Sequence, residues 1–273
     1  MTVSLTPLEK FWPVASPLFS VVTLVNDPMQ YMRMRAGLAA QHEAEAIQWI
    51  PIDADGKGWN AAAALNHGLE QAEGEWVVCA HQDVLFPEGW WGRVLEQIEH
   101  WKQHAHHPLG VVGLMGVTRW GRFRGAVSDP HGDGHWAPLP ARVASVDEHV
   151  IIIRRESGLR FDPATPGFHG YGTDIARESA CRGLAVIVID APVIHLSGGT
   201  LDEHFHASGR WLLRKWNCSL LPTCAAVLED RSLRTILRSA LVRFNRRRSI
   251  QRGRVNHPQE VEQIETLGNS RAA

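Results

Sequence analysis

The residues that could do chemistry stand at the ends of apolar runs. "WVVCAHQDVLF" (76 to 86) has buried-strand composition from Trp76 to Ala80 and stops at His81-Gln82-Asp83. "FSVVTLVNDP" (19 to 28) stops at Asn26 and Asp27, and "AIQWIPIDADGKG" (46 to 58) at Asp53 and Asp55. Open α/β sheets bind ligands outside the carboxyl ends of their strands, so three strands would bring hydrogen-bonding groups to one edge, where a nucleotide base and ribose could use them. No GxGxxG or GxxxxGK loop follows the first strand, which argues against a dinucleotide fold and a nucleoside triphosphatase. A diphosphate bound there needs another counter-charge. Asp83 is a hard oxygen ligand able to share Mg²⁺ or Mn²⁺ with phosphate oxygens. His195, after the apolar "APVI", offers a nitrogen that Mn²⁺ accepts more readily than Mg²⁺.

The elements that must hold these residues alternate. Strands are expected at 19 to 25, 46 to 52, 76 to 80 and 109 to 117, separated by helical stretches in "MQYMRMRAGLAAQ", in "WNAAAALNHGLEQAEG" with Gly74 closing it, and in "EGWWGRVLEQIEHWKQH". That β-α-β order predicts a parallel, doubly wound sheet. Residues 118 to 141 are crowded with Gly, Pro, Asp and His and are expected as a loop able to close over a ligand. "RVASVDEHVIIIRRE" (142 to 156) returns to strand, "YGTDIARESACRG" reads as a helix with a glycine stop, and 184 to 199 as a strand pair. "HASGRWLLRKW" (206 to 216) is helical in composition. The expected domains are an N-terminal extension (1–18), a main domain (19–228) and a tail (229–273). In the tail, Leu233, Ile236, Leu237, Leu241 and Phe244 share one helical face among arginines, and the sequence beyond about 255 is expected to be disordered. Such a helix can lie on an anionic membrane or pack on the domain with its arginines solvated.

With 273 residues, a net charge of -1 and a pI near 7.0, the chain has no overall field favouring nucleic acid. It carries no signal-peptide pattern and no apolar run of membrane-spanning length, so a cytoplasmic protein is expected, with peripheral contact at the inner membrane face through 229–254 left open. Four cysteines without CxxC spacing read as reduced thiols. Eleven tryptophans are an unusual load; some belong to the core, and Trp90, Trp91, Trp120 and Trp136 are candidate walls for a sugar or base, with ordinary packing as the alternative.

"NHGLEQAEGEWVVCAHQDVLFPEGWW" and "FDPATPGFHGYGTDIARESACRGLAVIVIDAPVIHLSGG" resemble the inverting family 2 glycosyltransferases of the GT-A fold, over roughly residues 19 to 216. The subgroup resembled carries His-Gln-Asp in place of Asp-x-Asp. The resemblance implies an α/β, Rossmann-like, mostly parallel central sheet flanked by helices. It also implies a nucleotide-diphospho-sugar donor, Mn²⁺ or Mg²⁺, and transfer with inversion to a saccharide or lipid-linked acceptor. It carries Asp83 and His195 over as metal ligands and Asp174 of "GYGTDIA" as the catalytic base. Asp53 becomes the acid near base and ribose, and Asn66 the asparagine of the helix before the motif strand. Asn26, Asp55, His81 and Gln82 complete the expected donor side, with His81 standing where most of the superfamily has an aspartate. Asp147, Glu148, His169 and Tyr171 are expected to face donor sugar or acceptor, with an ordinary charged turn as the alternative for the first two. A helix N-terminus would keep Asp174 ionised for proton abstraction. Two other readings use the same residues: a silent sugar-nucleotide or glycan-binding module, and a sugar-nucleotide hydrolase or nucleotidyltransferase.

Overall fold

The computed structural model describes residues 18–41, 47–104, 107–199, 202–230 and 233–255. The first half runs β1 (Phe19–Leu24), α1 (Pro28–Ala39), β2 (Ile47–Ile52), α2 (Ala61–Gln71), β3 (Trp76–Ala80), β4 (Val84–Leu85), α3 (Trp90–His104), β5 (Leu109–Gly113), β6 (Met115–Val117), β7 (Phe123–Asp129) and β8 (Gly132–Trp136). The second half runs β9 (Ala141–Arg142), β10 (Ser145–Val146), β11 (Val150–Arg154), α4 (Tyr171–Cys181), β12 (Ala185–Val188), β13 (Ile194–His195), α5 (Glu203–Lys215), β14 (Leu220–Pro222), β15 (Val227–Glu229), α6 (Leu233–Gly253) and β16 (Arg254–Val255).

Seven strands form the central sheet in the order β2-β1-β3-β11-β5-β12-β9. The pairs β1–β2, β1–β3 and β5–β12 are parallel, whereas β11 runs antiparallel to both β3 and β5. Most strands therefore run one way, as expected, with two reversed: β11 in the middle and β9 at the edge beside β12. Val150 to Ile153 are four consecutive apolar residues, each 0–1% exposed, and a run apolar on both faces needs the middle of a sheet. Each such side chain contributes roughly 1.5–3 kcal/mol on burial.

Strand alternation divides the core in two. Phe19, Val21, Trp76, Val78 and Ile152 face α1 and α3, and Val22, Val77, Cys79, Ile151 and Ile153 face α2 and α4. Asp27 caps α1 by accepting from the N–H groups of Met29 and Gln30, and Asn60 caps α2 by accepting from Ala63 N. Gly74 lies beyond the end of α2, which stops at Gln71; its N–H donates to Ser20 Oγ, tying the helix exit to β1.

A second sheet, β10-β6-β7-β13-β4 with β8 beside β7 and β16 beside β8, lies against the carboxyl edge of the first. The stretches read as single strands at 109 to 117 and 142 to 156 each break and pass from one sheet to the other, as β5–β6 and β10–β11. The expected loop 118 to 141 is largely the β7–β8 hairpin. There Gly125 has φ +111°, and a Cβ would meet Leu114 O at 2.0 Å, so its composition reads as loop although its backbone pairs. Residues 233–255 share this packing: Val242 is fully buried, Trp136 Nε1 donates to Ser249 O, and β16 pairs with β8. Residues 1–17 and the end beyond 255 lie outside the described residues. No described helix is long and apolar enough to cross a membrane.

Candidate active site and metal centre

Two short ladders assemble the site. Antiparallel pairing of β13 with β4 sets His195 opposite Val84, and Leu196 N donates to Asp83 O, so a histidine more than a hundred residues away arrives beside Asp83. Pairing of β11 with β3 continues one step past Val150 and Ala80, where His81 N donates to His149 O, drawing the Asp147–His149 segment to the end of β3.

His81, Asp83 and His195 offer ligand atoms that all lie within 4.8 Å of one another. His195 Nε2 is 3.4 Å from both Asp83 Oδ1 and His81 Nδ1, and His81 Nδ1 is 4.0 Å from Asp83 Oδ1. Two imidazole nitrogens and one carboxylate form a donor set that suits Mn²⁺, Fe²⁺ or Zn²⁺ better than Mg²⁺. His81 is held from behind, its Nε2 pairing with Tyr171 Oη at 2.9 Å; Ser197 Oγ lies 3.3 Å from His195 Nε2 on the triad's own side, and the buried His149 ring stacks on His195 at 5.6 Å. Burial and the His195 charge hold His81 down to about 4, which keeps its ring neutral and able to ligate. Burial opposes ionisation of Asp83, but hydrogen bonds from His195 and Ser197 outweigh it and keep the carboxyl well below the usual range. His195 is raised, because Asp83 and Asp147 outweigh its burial.

The triad lies between two cavities. One, about 300 Å³, opens at the ends of β1 to β3 and is lined by Asn26, Asp55, Gln82 and Asp83. The other, about 470 Å³, opens between the sheets and is lined by Asp147, His169, His195, Phe205 and Arg246. His81, Glu148 and the exposed Phe168 line both.

Several expected donor residues act as braces. Gln82 Oε1 accepts from the N–H groups of Asn26 and Asp27, and its amide donates to Asn26 Oδ1, joining the ends of β1 and β3. Asn66, expected on the donor side, bonds the main chain of Phe161 through both ends of its amide. Asp53 accepts from Gly56 N and shapes the loop that presents Asp55.

Trp90 and Trp91 are corrected outright. Both are fully buried at the start of α3; Trp90 Nε1 donates to Ala191 O and Trp91 packs on Phe19 at 4.3 Å, so neither reaches a ligand. Trp136 does line the second cavity, whereas Trp120 is exposed and away from both cavities.

Asp174 was expected as the catalytic base. It is 2% exposed, Lys215 Nζ donates to Oδ2 at 2.8 Å, Trp216 Nε1 donates to Oδ1 at 2.8 Å, and it lines neither cavity. Burial pushes its pKa up against the lowering effect of Lys215 and Trp216, whose ammonium and indole N–H occupy both carboxylate oxygens at 2.8 Å. Asp162 shares the same ammonium at 2.8 Å, so the group is an ion-pair knot joining α4 to α5.

His149 and Ser197 were missed by sequence reasoning. Both had a period-two signal: His149 follows Asp147, and Ser197 follows His195, by one strand repeat.

A mostly parallel central sheet flanked by helices and joined to a second sheet matches the GT-A fold of solved glycosyltransferases. Residues 45–159, which run from β2 through β11, match the family model described as "Glycosyl transferase family 2". The crystal structure of GalNAc-T7 with UDP, GalNAc and Mn²⁺ superposes with a TM-score of 0.51 at 12% identity, covering 74% of this chain and 48% of that one. The mannosyltransferase PcManGT from Pyrobaculum calidifontis, solved with GDP-Man and Mn²⁺, gives 0.46 at 14% identity, covering 74% and 62%. The chain thus spans less than two thirds of either solved structure. A curated relative, "ATP synthase subunits region ORF 6" of Fuscovulum blasticum, is 24% identical over 209 residues, covering 73% of this chain and 83% of that protein.

Proposed function

We propose that the protein transfers a sugar from a nucleotide-diphospho-sugar to a hydroxyl of a saccharide or lipid-linked acceptor, in one displacement that inverts the anomeric carbon. The observation that carries this reading is the triad of His81, Asp83 and His195 on the wall shared by the two cavities. Its donor set fits a divalent cation, which when bound would stabilise the negative charge on the leaving diphosphate. The two imidazoles favour Mn²⁺ over Mg²⁺ in that role.

The chain's own residues divide the remaining work. Asn26 and Asp55 line the smaller cavity, where they can hydrogen-bond base and ribose. Tyr171 fixes the ring of His81, and His149 that of His195, so the ligand atoms need little rearrangement. His169 and Phe205, edge to face at 5.8 Å, line the larger cavity as a surface for the acceptor, with Phe168 shielding the junction from water. The family match across His81 to Asp83, and a neighbouring fold crystallised with UDP, GalNAc and Mn²⁺, support this reading.

The test is thermal unfolding of the wild type and Asp83→Ala with UDP, dTDP, GDP or CMP, each with and without Mn²⁺. One nucleoside diphosphate is expected to raise the melting temperature only with Mn²⁺ and only when Asp83 is present. Ligand at a hundred times its Kd contributes about 2.7 kcal/mol. Equal responses from both proteins would remove the metal-diphosphate site from the reading.

A further inference from the structure

We infer that Glu148, rather than Asp174, is the carboxylate that takes the proton from the acceptor hydroxyl; the inference rests on the transferase reading above. Displacement requires a base between the donor's anomeric carbon and the acceptor. Among the described carboxylates that line a cavity, Glu148 alone lines both.

The fold makes room for it there. Glu148 Oε1 accepts from Gly172 N at 2.9 Å in the first turn of α4. A Cβ at position 172 would come within 2.9 Å of Glu148 Cγ and 2.9 Å of Val146 O, so only glycine lets the Glu148 side chain cross the helix start. A carboxyl supplied by the sheet joint thus occupies the helix N-terminus, where its ionised form is favoured. Asp174, one half-turn on, points into the Lys215–Trp216 knot with both oxygens engaged and would have to break an ion pair to accept a proton.

The charge environment agrees with this role. Burial pushes Glu148 up to about 8, with Asp147 adding to the rise and the N–H groups of Gly172 and Gly170 opposing it. A base that titrates near the working pH combines availability with proton affinity. In the step itself, the acceptor oxygen bonds to the anomeric carbon while its proton passes to the Glu148 carboxylate. The bond from that carbon to the diphosphate oxygen breaks, and its electron pair leaves with the nucleoside diphosphate.

The experiment compares wild type, Glu148→Gln and Asp174→Asn for nucleoside diphosphate release from UDP- and GDP-hexoses, with Mn²⁺ and a panel of saccharide acceptors. Glu148→Gln keeps an acceptor for Gly172 N but cannot take the proton. It is expected to lose about 10²- to 10⁴-fold in kcat, with donor KM and the Mn²⁺-dependent nucleotide thermal shift retained. Should it fail to fold, Glu148→Asp, which withdraws the carboxyl by one methylene, must show a kcat loss at unchanged donor KM. Turnover by Glu148→Gln within tenfold of wild type overturns the assignment, as does the reverse ranking, with Asp174→Asn silent and Glu148→Gln active. A wild type that releases no nucleoside diphosphate from any donor overturns the transferase reading itself, a result distinct from an active wild type with an active variant.

Discussion

At the residue scale, the site shows how neighbours assign roles to like groups. Asp83, Asp147, Glu148 and Asp174 are all acids, yet His195 holds the first low, His149 holds the second low, burial raises the third, and Lys215 occupies the fourth. Glu148 gives a pH prediction. The charged and titratable groups facing it are Asp147 on its own loop, Tyr171 on α4, Cys224 beyond β14, and Cys79 and His81 at the end of β3. Its folded-state value of about 8 stands above the ordinary 4.5, so the folded protein keeps a proton that the unfolded chain releases across that window. Stability therefore falls as pH rises from about 4.5 to about 8, with the full penalty above 8. Glu148→Gln removes the penalty. Calorimetry should find its melting temperature equal to wild type near pH 4.5 and increasingly above it towards pH 8.5; parallel curves would show that Glu148 is not the shifted group.

At the element scale, α6 takes up one of the two uses expected of a basic amphipathic helix, packing on the domain by one face, and leaves its other face exposed. Inward, Val242 is fully buried, and Arg246 spends its guanidinium on the carbonyls of Thr223, Cys224 and Ala225. Outward, Leu241 and Phe244 stand 49% and 58% exposed among the exposed Arg238, Arg247, Arg248 and Arg252. Two apolar side chains ringed by arginine suit the interface of an anionic bilayer, where each basic residue contributes about 1 kcal/mol. The intact protein is expected to cosediment with phosphatidylserine vesicles and not with phosphatidylcholine vesicles. Leu241→Ser with Phe244→Ser should weaken that binding about tenfold without lowering the melting temperature. No binding by the intact protein would leave α6 with its packing role alone.

At the scale of the whole molecule, the second sheet and α6 form one wall of the larger cavity, with Arg246, Ile250 and Arg254 contributed by the chain's last described turns. Truncation after Asp230 strips that wall from Phe123 and Trp136. It should lower the melting temperature by about 5 °C or more in calorimetry, since a few kcal/mol moves a domain of this size by that amount. An unchanged melting temperature would make residues 233–255 an appendage.

Much of this was legible in the sequence because it depends on near neighbours. Apolar runs marked the strands, and polar residues at strand ends marked the edge that carries the candidate site. His81-Gln82-Asp83 and His195 stood out for the same reason: each comes directly after an apolar run. The tertiary structure alone decided what depends on partners distant in the chain. It decided that β11 enters between β3 and β5, that Val84 pairs with His195, and that Trp90 and Trp91 turn inward. It also decided that Lys215 claims Asp174 while a missing side chain at Gly172 admits Glu148. The physical reason is that a strand's period and a helix's cap are written in adjacent residues. The working carboxylate is set by which side chains meet in space, and a glycine announces only that something else needs the room.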